Sequence, residues 1–191
     1  MKIIGLTGGI GSGKSTLLNW FKSKGIPCFE SDAVGKELLE SELRQKIQNR
    51  FGAELYAKGT LDRAVLAKRV FQDPQELKEL NEIVHPAVAK AFEKFKVKHK
   101  DAPIVIKEAA ILFESGGDKF CDSVVLITAP KELRIQRVLE RDGGTRSEVL
   151  KRMSQQWSDE QKKKKADWVI ENIDLSKTIE QVETILMELK N

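Results

Sequence analysis

Nine residues beginning at Gly8, GGIGSGKST, contain four glycines and one lysine. Glycine surrenders more backbone freedom on folding than any other residue, so such a run beside an apolar segment needs a conformational reason. The flanks supply one. Ile3, Ile4 and Leu6 read as a short buried parallel strand, and Leu17, Leu18 and Phe21 recur at helical spacing until Gly25 closes the helix. Gly8, Gly13, Lys14 and Ser15 thus satisfy G-x-x-x-x-G-K-[ST] in the strand-to-helix setting that a phosphate-binding loop requires.

In such a loop consecutive amides turn inward at a helix N-terminus, where the orphan donors and the positive end of the helix dipole face an anion. Gly8, Gly9, Gly11, Ser12, Gly13, Lys14, Ser15 and Thr16 are therefore the expected nucleotide-binding residues. Lys14 should reach the β- and γ-phosphates, the Ser15 hydroxyl should ligate Mg²⁺, and Thr16 should support the α-phosphate.

The 191-residue length suits one domain with insertions, and 40% hydrophobic with 32% charged residues is an ordinary globular composition. The first residues are too poor in apolar side chains for a signal peptide, and no stretch reaches the ~20 apolar residues of a membrane span. The expectation is a cytoplasmic protein without membrane or nucleic-acid partners, a monomer or weak oligomer. Cys28 and Cys121 lack metal-ligand spacing and read as reduced, buried thiols. The net charge of +4 is compatible with handling polyphosphates, and the lysine run 162–165 reads as a solvated helix end.

Further along, IPCF suits a second strand, with Ser31 or Asp32 capping the next helix. Up to about residue 102 the pattern is helical. Asp73, Pro74 and Glu76 mark a helix start, and His85-Pro86 predicts a kink or break. Continuous apolar runs in PIVIKEAAIL and SVVLIT predict parallel strands covered on both faces. Thr145 with Glu148 predicts a capping box opening a long helix to about Lys165, and a short strand from Trp168 and an amphipathic C-terminal helix follow. The expected fold is α/β, a P-loop NTPase-type parallel β-sheet of about five strands flanked by helices. Residues 1–39 and 103–191 would form the core, 40–102 an inserted helical substrate-binding domain, and 142–150 a mobile lid.

A phosphate loop identifies a nucleotide binder and leaves the reaction open. A GTPase switch would need [NT]-K-x-D, which is missing, and the D-x-x-G at Asp32 comes too soon after Ser15. A motor or binding-module ATPase would carry an apolar strand ending in an Mg²⁺-binding acid; Val105-Ile106-Lys107-Glu108 is a weak version. A small-molecule kinase needs a carboxylate to align an acceptor hydroxyl, and Asp32 at the end of the second strand is the candidate. Arg134, Arg137 and Arg141, at i, i+3 and i+7, form a basic stripe leading into Gly143 and Gly144, with Arg146 beyond. Arg137 and Arg141 are candidates for neutralising charge on the transferring phosphoryl group.

LTGGIGSGKST, SDAVGKEL, GTLDRAVLAKRVF, LNEIVHPAV, AILFESG, RVLERDGGTR with Gln156 downstream, and ADWVIEN occur in that order. Together they resemble the dephospho-coenzyme A kinases nearly from end to end. The resemblance implies ATP- and Mg²⁺-dependent phosphorylation of the ribose 3′-hydroxyl of dephospho-coenzyme A. It gives Gly11 to Thr16 to the ATP phosphates, Asp32 to activation of the hydroxyl, Arg137 and Arg141 to the lid side, and Asn172 to the adenine-side loop. The helical insertion with His85 would bind the acceptor. Glu30 and Lys36 stand where the family usually has aspartate and arginine, and Ala109-Ala110-Ile111-Leu112 replaces an acid-x-Pro-Leu-Leu pattern. A nucleoside monophosphate kinase is the alternative.

Overall fold

The computed structural model describes residues 1–190, which divide into two compact units: Met1–Glu30 with the chain from His99, and Ser31–Lys98. In chain order the elements are β1 (Lys2–Thr7), α1 (Lys14–Ser23), β2 (Cys28–Glu30), α2 (Ser31–Glu40), α3 (Arg44–Phe51), α4 (Arg63–Gln72) and α5 (Pro74–Lys98). There follow β3 (Ile104–Glu108), β4 (Ser123–Thr128), α6 (Lys131–Asp142), α7 (Arg146–Met153), α8 (Asp159–Lys163), β5 (Trp168–Glu171) and α9 (Leu175–Lys190).

The first unit is built on a five-stranded, wholly parallel sheet in the order β2-β3-β1-β4-β5. Its strands are apolar runs because both faces are covered. On one face Ile4, Leu6, Ile106, Val125 and Ile127 pack with Leu17, Leu18 and Phe21 of α1 and Val182, Ile185 and Leu186 of α9. On the other, Ala109, Leu112, Phe113 and Val124 form a smaller cluster. β1 is central, flanked by β3 and β4, so the strand order reverses beside it. The crevice at such a reversal, outside the carboxyl ends of the strands, is where open α/β sheets take their ligands. The glycine loop leaves β1 there.

Two features of this unit correct the reading of the sequence. The helix expected from Thr145 to about Lys165 is two helices, α7 and α8, because Ser158 and Gln161 make a second capping box that restarts the helix. Lys162 is not part of a solvated end: it is fully buried, and its ammonium donates to the Ala110 carbonyl at 2.9 Å and pairs with Glu114 at 3.1 Å. An isolated buried ammonium would be costly, and here a carboxylate and a carbonyl compensate it.

The helical unit packs α2 to α5 around Leu38, Leu43, Ile47, Phe51, Leu55, Tyr56, Leu66 and Val70. It starts at Ser31, earlier than residue 40, since Val34 and Leu38 of α2 contribute to this core. Ser31 does not cap α2; its hydroxyl is buried and has no hydrogen-bond partner among the described residues. Asp73 does cap α5, accepting from the amides of Gln75 at 2.8 Å and Glu76 at 3.3 Å. Pro86 lies inside α5, which continues unbroken past it. Pro86 and Glu82 are both exposed, so water can satisfy the carbonyl that the proline leaves without a donor. Among the described residues no helix is long and apolar enough to cross a membrane.

Candidate active site

Each glycine of the loop after β1 is pressed against something. Gly11 and Gly13 have φ of 78° and 97°, in the left-handed region that side chains avoid. A Cβ on Gly11 would lie 2.4 Å from the Arg134 carbonyl oxygen, one on Gly13 2.0 Å from the Asn172 side-chain nitrogen, and one on Gly9 2.0 Å from the Arg134 guanidinium. At Gly8 it would lie 2.2 Å from the Ile127 carbonyl oxygen. The glycines are spent on close packing as well as on the turn, so the loop cannot spread outward.

Inside the loop, Ser12 N–H donates to Gly9 O, and the amides of Thr16 and Leu17 donate to Gly13 O. α1 starts at Lys14 with Gly13 before it and no side-chain cap. Among the described residues the amides of Gly11, Gly13 and Ser15 find no protein acceptor. They lie at the positive end of the α1 dipole, which suits them to an anion. Lys14 folds over the loop, its ammonium donating to Gly8 O at 2.7 Å. Ser15 and Thr16 are exposed. The buried Ser12 hydroxyl has no hydrogen-bond partner among the described residues.

The arginines of α6 separate into three situations. Arg134, the first arginine of the basic stripe, is buried; it donates from Nε to Ile10 O at 2.9 Å and pairs with Asp159 at 2.8 Å. It braces the loop from outside. Arg137 donates to the carbonyls of Asn172 at 2.9 Å and Ile173 at 3.4 Å, with its guanidinium 4.0 Å from the place a Gly13 Cβ would take. Arg141, a turn on, is exposed and paired with neighbouring Asp142 at 2.6 Å, which is also held by Arg152 at 3.0 Å. The hydrogen bonds from both arginines draw the Asp142 carboxyl well below its usual range. The structure thus places Arg137 beside the phosphate loop and leaves Arg141 directed at Asp142.

Asn172, just past β5, is buried; its amide nitrogen donates to Ser12 O at 2.9 Å and its amide oxygen accepts from Thr178 at 3.1 Å. The side chain expected on the adenine side therefore ties the loop after β5 to the phosphate loop. Ile173 and Leu175, next in the chain, are exposed apolar groups. Gln156 accepts from Ile10 N–H at 2.9 Å. Reading the sequence assigned no role to Gln156, Thr178 or Asp159, since spacing along a chain does not show which distant backbone atom a side chain will meet.

At the same sheet edge, Glu108 ends β3 in register with Glu30, which ends β2 and pairs with Lys22. Among the described residues no three His, Cys, Asp or Glu side chains cluster as a metal cage. The exposed Ser15 hydroxyl on the first turn of α1 is a hard oxygen donor, which fits Mg²⁺ bound mainly by substrate phosphates and water.

In the helical unit Asp32 lies in the first turn of α2, two residues past the end of β2. A cavity of about 500 Å³ opens along α5, lined by Pro74, Leu77, Asn81, Glu82, His85 and Pro86 with Lys78. Neighbouring atoms desolvate the His85 ring enough to hold its pKa below the usual value. Cys28 and Cys121 are free, half-buried thiols, each pushed up to about 11 by burial.

Residues 2–177 match the family described as dephospho-CoA kinase. A dephospho-CoA kinase of Fusobacterium nucleatum is 39% identical over 89% of this chain and 89% of its own. One from Chlorobium chlorochromatii is 41% identical, covering 89% and 84%. The crystal structure of TT1252 from Thermus thermophilus, 37% identical, covers 98% of this chain and 97% of its own with a TM-score of 0.87. A shikimate kinase from Acinetobacter baumannii shares the fold alone, with a TM-score of 0.55 at 14% identity over 98% and 94% of the two chains.

Proposed function

The chain belongs to the dephospho-CoA kinase family, and from that premise we propose that it transfers the γ-phosphate of ATP to the 3′-hydroxyl of dephospho-coenzyme A, giving coenzyme A and ADP. The family is one of kinases, which supports ATP-dependent transfer to a hydroxyl of dephospho-coenzyme A; the residue roles are drawn from the site. The observation that carries it is the uncapped start of α1 beneath a tightly packed glycine loop.

Donors that bind phosphate oxygens best are already fixed in place before the substrate arrives, because they need no reorganisation during the reaction. The amides of Gly11, Gly13 and Ser15 meet that condition, with Arg134, Asn172 and Gln156 holding the backbone behind them. Lys14 exchanges its contact with Gly8 O for the β- and γ-phosphate oxygens, and Thr16 supports the α-phosphate. Arg137 neutralises charge on the transferring group, with Arg141 joining it once released from Asp142. Ser15 would hold Mg²⁺ together with the substrate phosphates, and the ion would supply charge neutralisation there. Asp32 orients the acceptor hydroxyl and takes its proton as the new O–P bond forms; in a loose transition state the orientation matters more than early deprotonation. The cavity along α5, with His85 at its rim, takes part of the acceptor.

The test is ADP release with ATP and Mg²⁺ and, in turn, dephospho-coenzyme A, AMP, CMP and adenosine. Turnover is expected with dephospho-coenzyme A alone. Turnover of AMP in its place would make the chain a nucleoside monophosphate kinase, and ADP release needing no acceptor would make it an ATPase.

A further inference from the structure

The tip of the phosphate loop is gripped on all sides at one residue. Ile10 N–H donates to Gln156 Oε1 at 2.9 Å, and Ile10 O accepts from Arg134 Nε at 2.9 Å. Arg134 is in turn fixed by Asp159, at 2.8 Å, in a pair whose side chains are 10% and 16% exposed. The Ile10 side chain packs on the small core formed by Ile135, Val138 and Val149 of α6 and α7. The backbone amide, the backbone carbonyl and the side chain are thus all held by the segment from α6 to the start of α8.

That segment is itself anchored. Trp157 N–H, next to Gln156, donates to Glu114 Oε1 at 2.9 Å, and Glu114 is held by the buried Lys162 at 3.1 Å. The connection between α7 and α8 is therefore pinned to the loop after β3 one residue away from where it grips Ile10. Displacing it would remove the acceptor from Ile10 N–H and loosen the carbonyl contact at the same time.

We propose that Gln156 is a positioning residue for the phosphate loop. By occupying the Ile10 amide it fixes the orientation of that peptide, and the amides that follow are left facing the anion. Seating of the α7–α8 connection and shaping of the phosphate nest are then one event, with Arg134 and Asp159 securing the carbonyl side. The inference rests on the loop's assignment to ATP phosphates, and its test includes readouts that do not depend on turnover.

Gln156→Met keeps the length of the side chain and removes the strong acceptor; Gln156→Glu keeps an acceptor oxygen. Calorimetry with ADP and with inorganic tripolyphosphate, hydrogen exchange at the Ile10 amide, and steady-state kinetics are measured on the full chain. Gln156→Met should weaken both ligands about fivefold to tenfold and raise the KM for ATP by a similar factor, the usual scale for one lost hydrogen bond. The KM for the acceptor and the thermal midpoint should stay near the wild-type values. Ile10 exchange should accelerate about tenfold in Gln156→Met and stay protected in Gln156→Glu. Binding within twofold of wild type in Gln156→Met, a loss that only follows a lowered thermal midpoint, or equal exchange in the two variants would overturn the proposal. If the wild-type chain binds neither ligand, the kinase reading is what fails, and exchange at Ile10 still decides whether Gln156 positions the loop.

Discussion

A methyl group added at Gly11 and one added at Gly35 would meet opposite fates. At Gly11 the backbone is left-handed and the new atom would lie 2.4 Å from the Arg134 carbonyl oxygen. At Gly35, inside α2, the nearest atoms are Val88 and Val84 side chains at 3.6 and 3.7 Å, an ordinary contact distance. The first glycine is required by geometry; the second is a helix residue with room for a side chain. The contrast extends to the two units around them. The phosphate loop is held by side chains that reach its backbone, the buried Arg134 and Asn172 and the partly buried Gln156. The helical unit relies on apolar packing around Ile47 and Phe51, with ion pairs such as Arg50 to Glu79 near its surface. Around the start of α1 the backbone is over-determined by side chains that reach it, whereas the helical unit rests on apolar packing.

The contrast breaks first, if it breaks, at Arg134. Arg134→Ala leaves Asp159 largely buried without its partner, and stability should fall by about 3–5 kcal/mol in urea denaturation. Arg134→Lys should recover little, because one ammonium cannot reproduce the fork that meets both Ile10 O and Asp159. A loss no larger than that of an exposed pair would show that the brace is not under load. Gly11→Ala should cost at least about 1–2 kcal/mol from the left-handed backbone alone, and ATP affinity should fall with it when measured by calorimetry. Gly35→Ala should instead stabilise, by about 0.5–1 kcal/mol, by removing helix-interior glycine entropy. The same sign at both positions would erase the distinction. The smallest effect belongs to Arg146→Ala: its pair with Glu132 is exposed and salt-screened, so the thermal midpoint should barely move and should do so less in high salt.

The parts of the molecule that could be read from the sequence are those encoded locally. The phosphate loop is a fixed spacing between a strand and a helix, and the capping box of Thr145 with Glu148 lies within one turn. Parallel strands announce themselves as apolar runs, which is why the sheet was legible. Arg134 was not, because a basic stripe on α6 gives the spacing of side chains and not which of them the loop will cover. Lys162 misled for a related reason: four consecutive lysines suggest solvent, and Glu114, which makes burial of one of them possible, is far away in sequence. Of the kink or break expected at Pro86, the break is not there: α5 continues past it, and the exposed helix face lets water replace the missing donor. Asp32 stands in the first turn of α2, two residues past the end of the second strand, where its place in the sequence put it.

The role of Asp32 in aligning the acceptor is the account's central claim, and one substitution addresses it. Asp32→Asn preserves size and loses the proton acceptor, so turnover of dephospho-coenzyme A should fall about 10²- to 10⁴-fold, the usual contribution of a positioned acid or base, while calorimetric affinity for ATP stays at the wild-type value. Turnover close to wild type, or a decrease accounted for by weakened ATP binding, would contradict it.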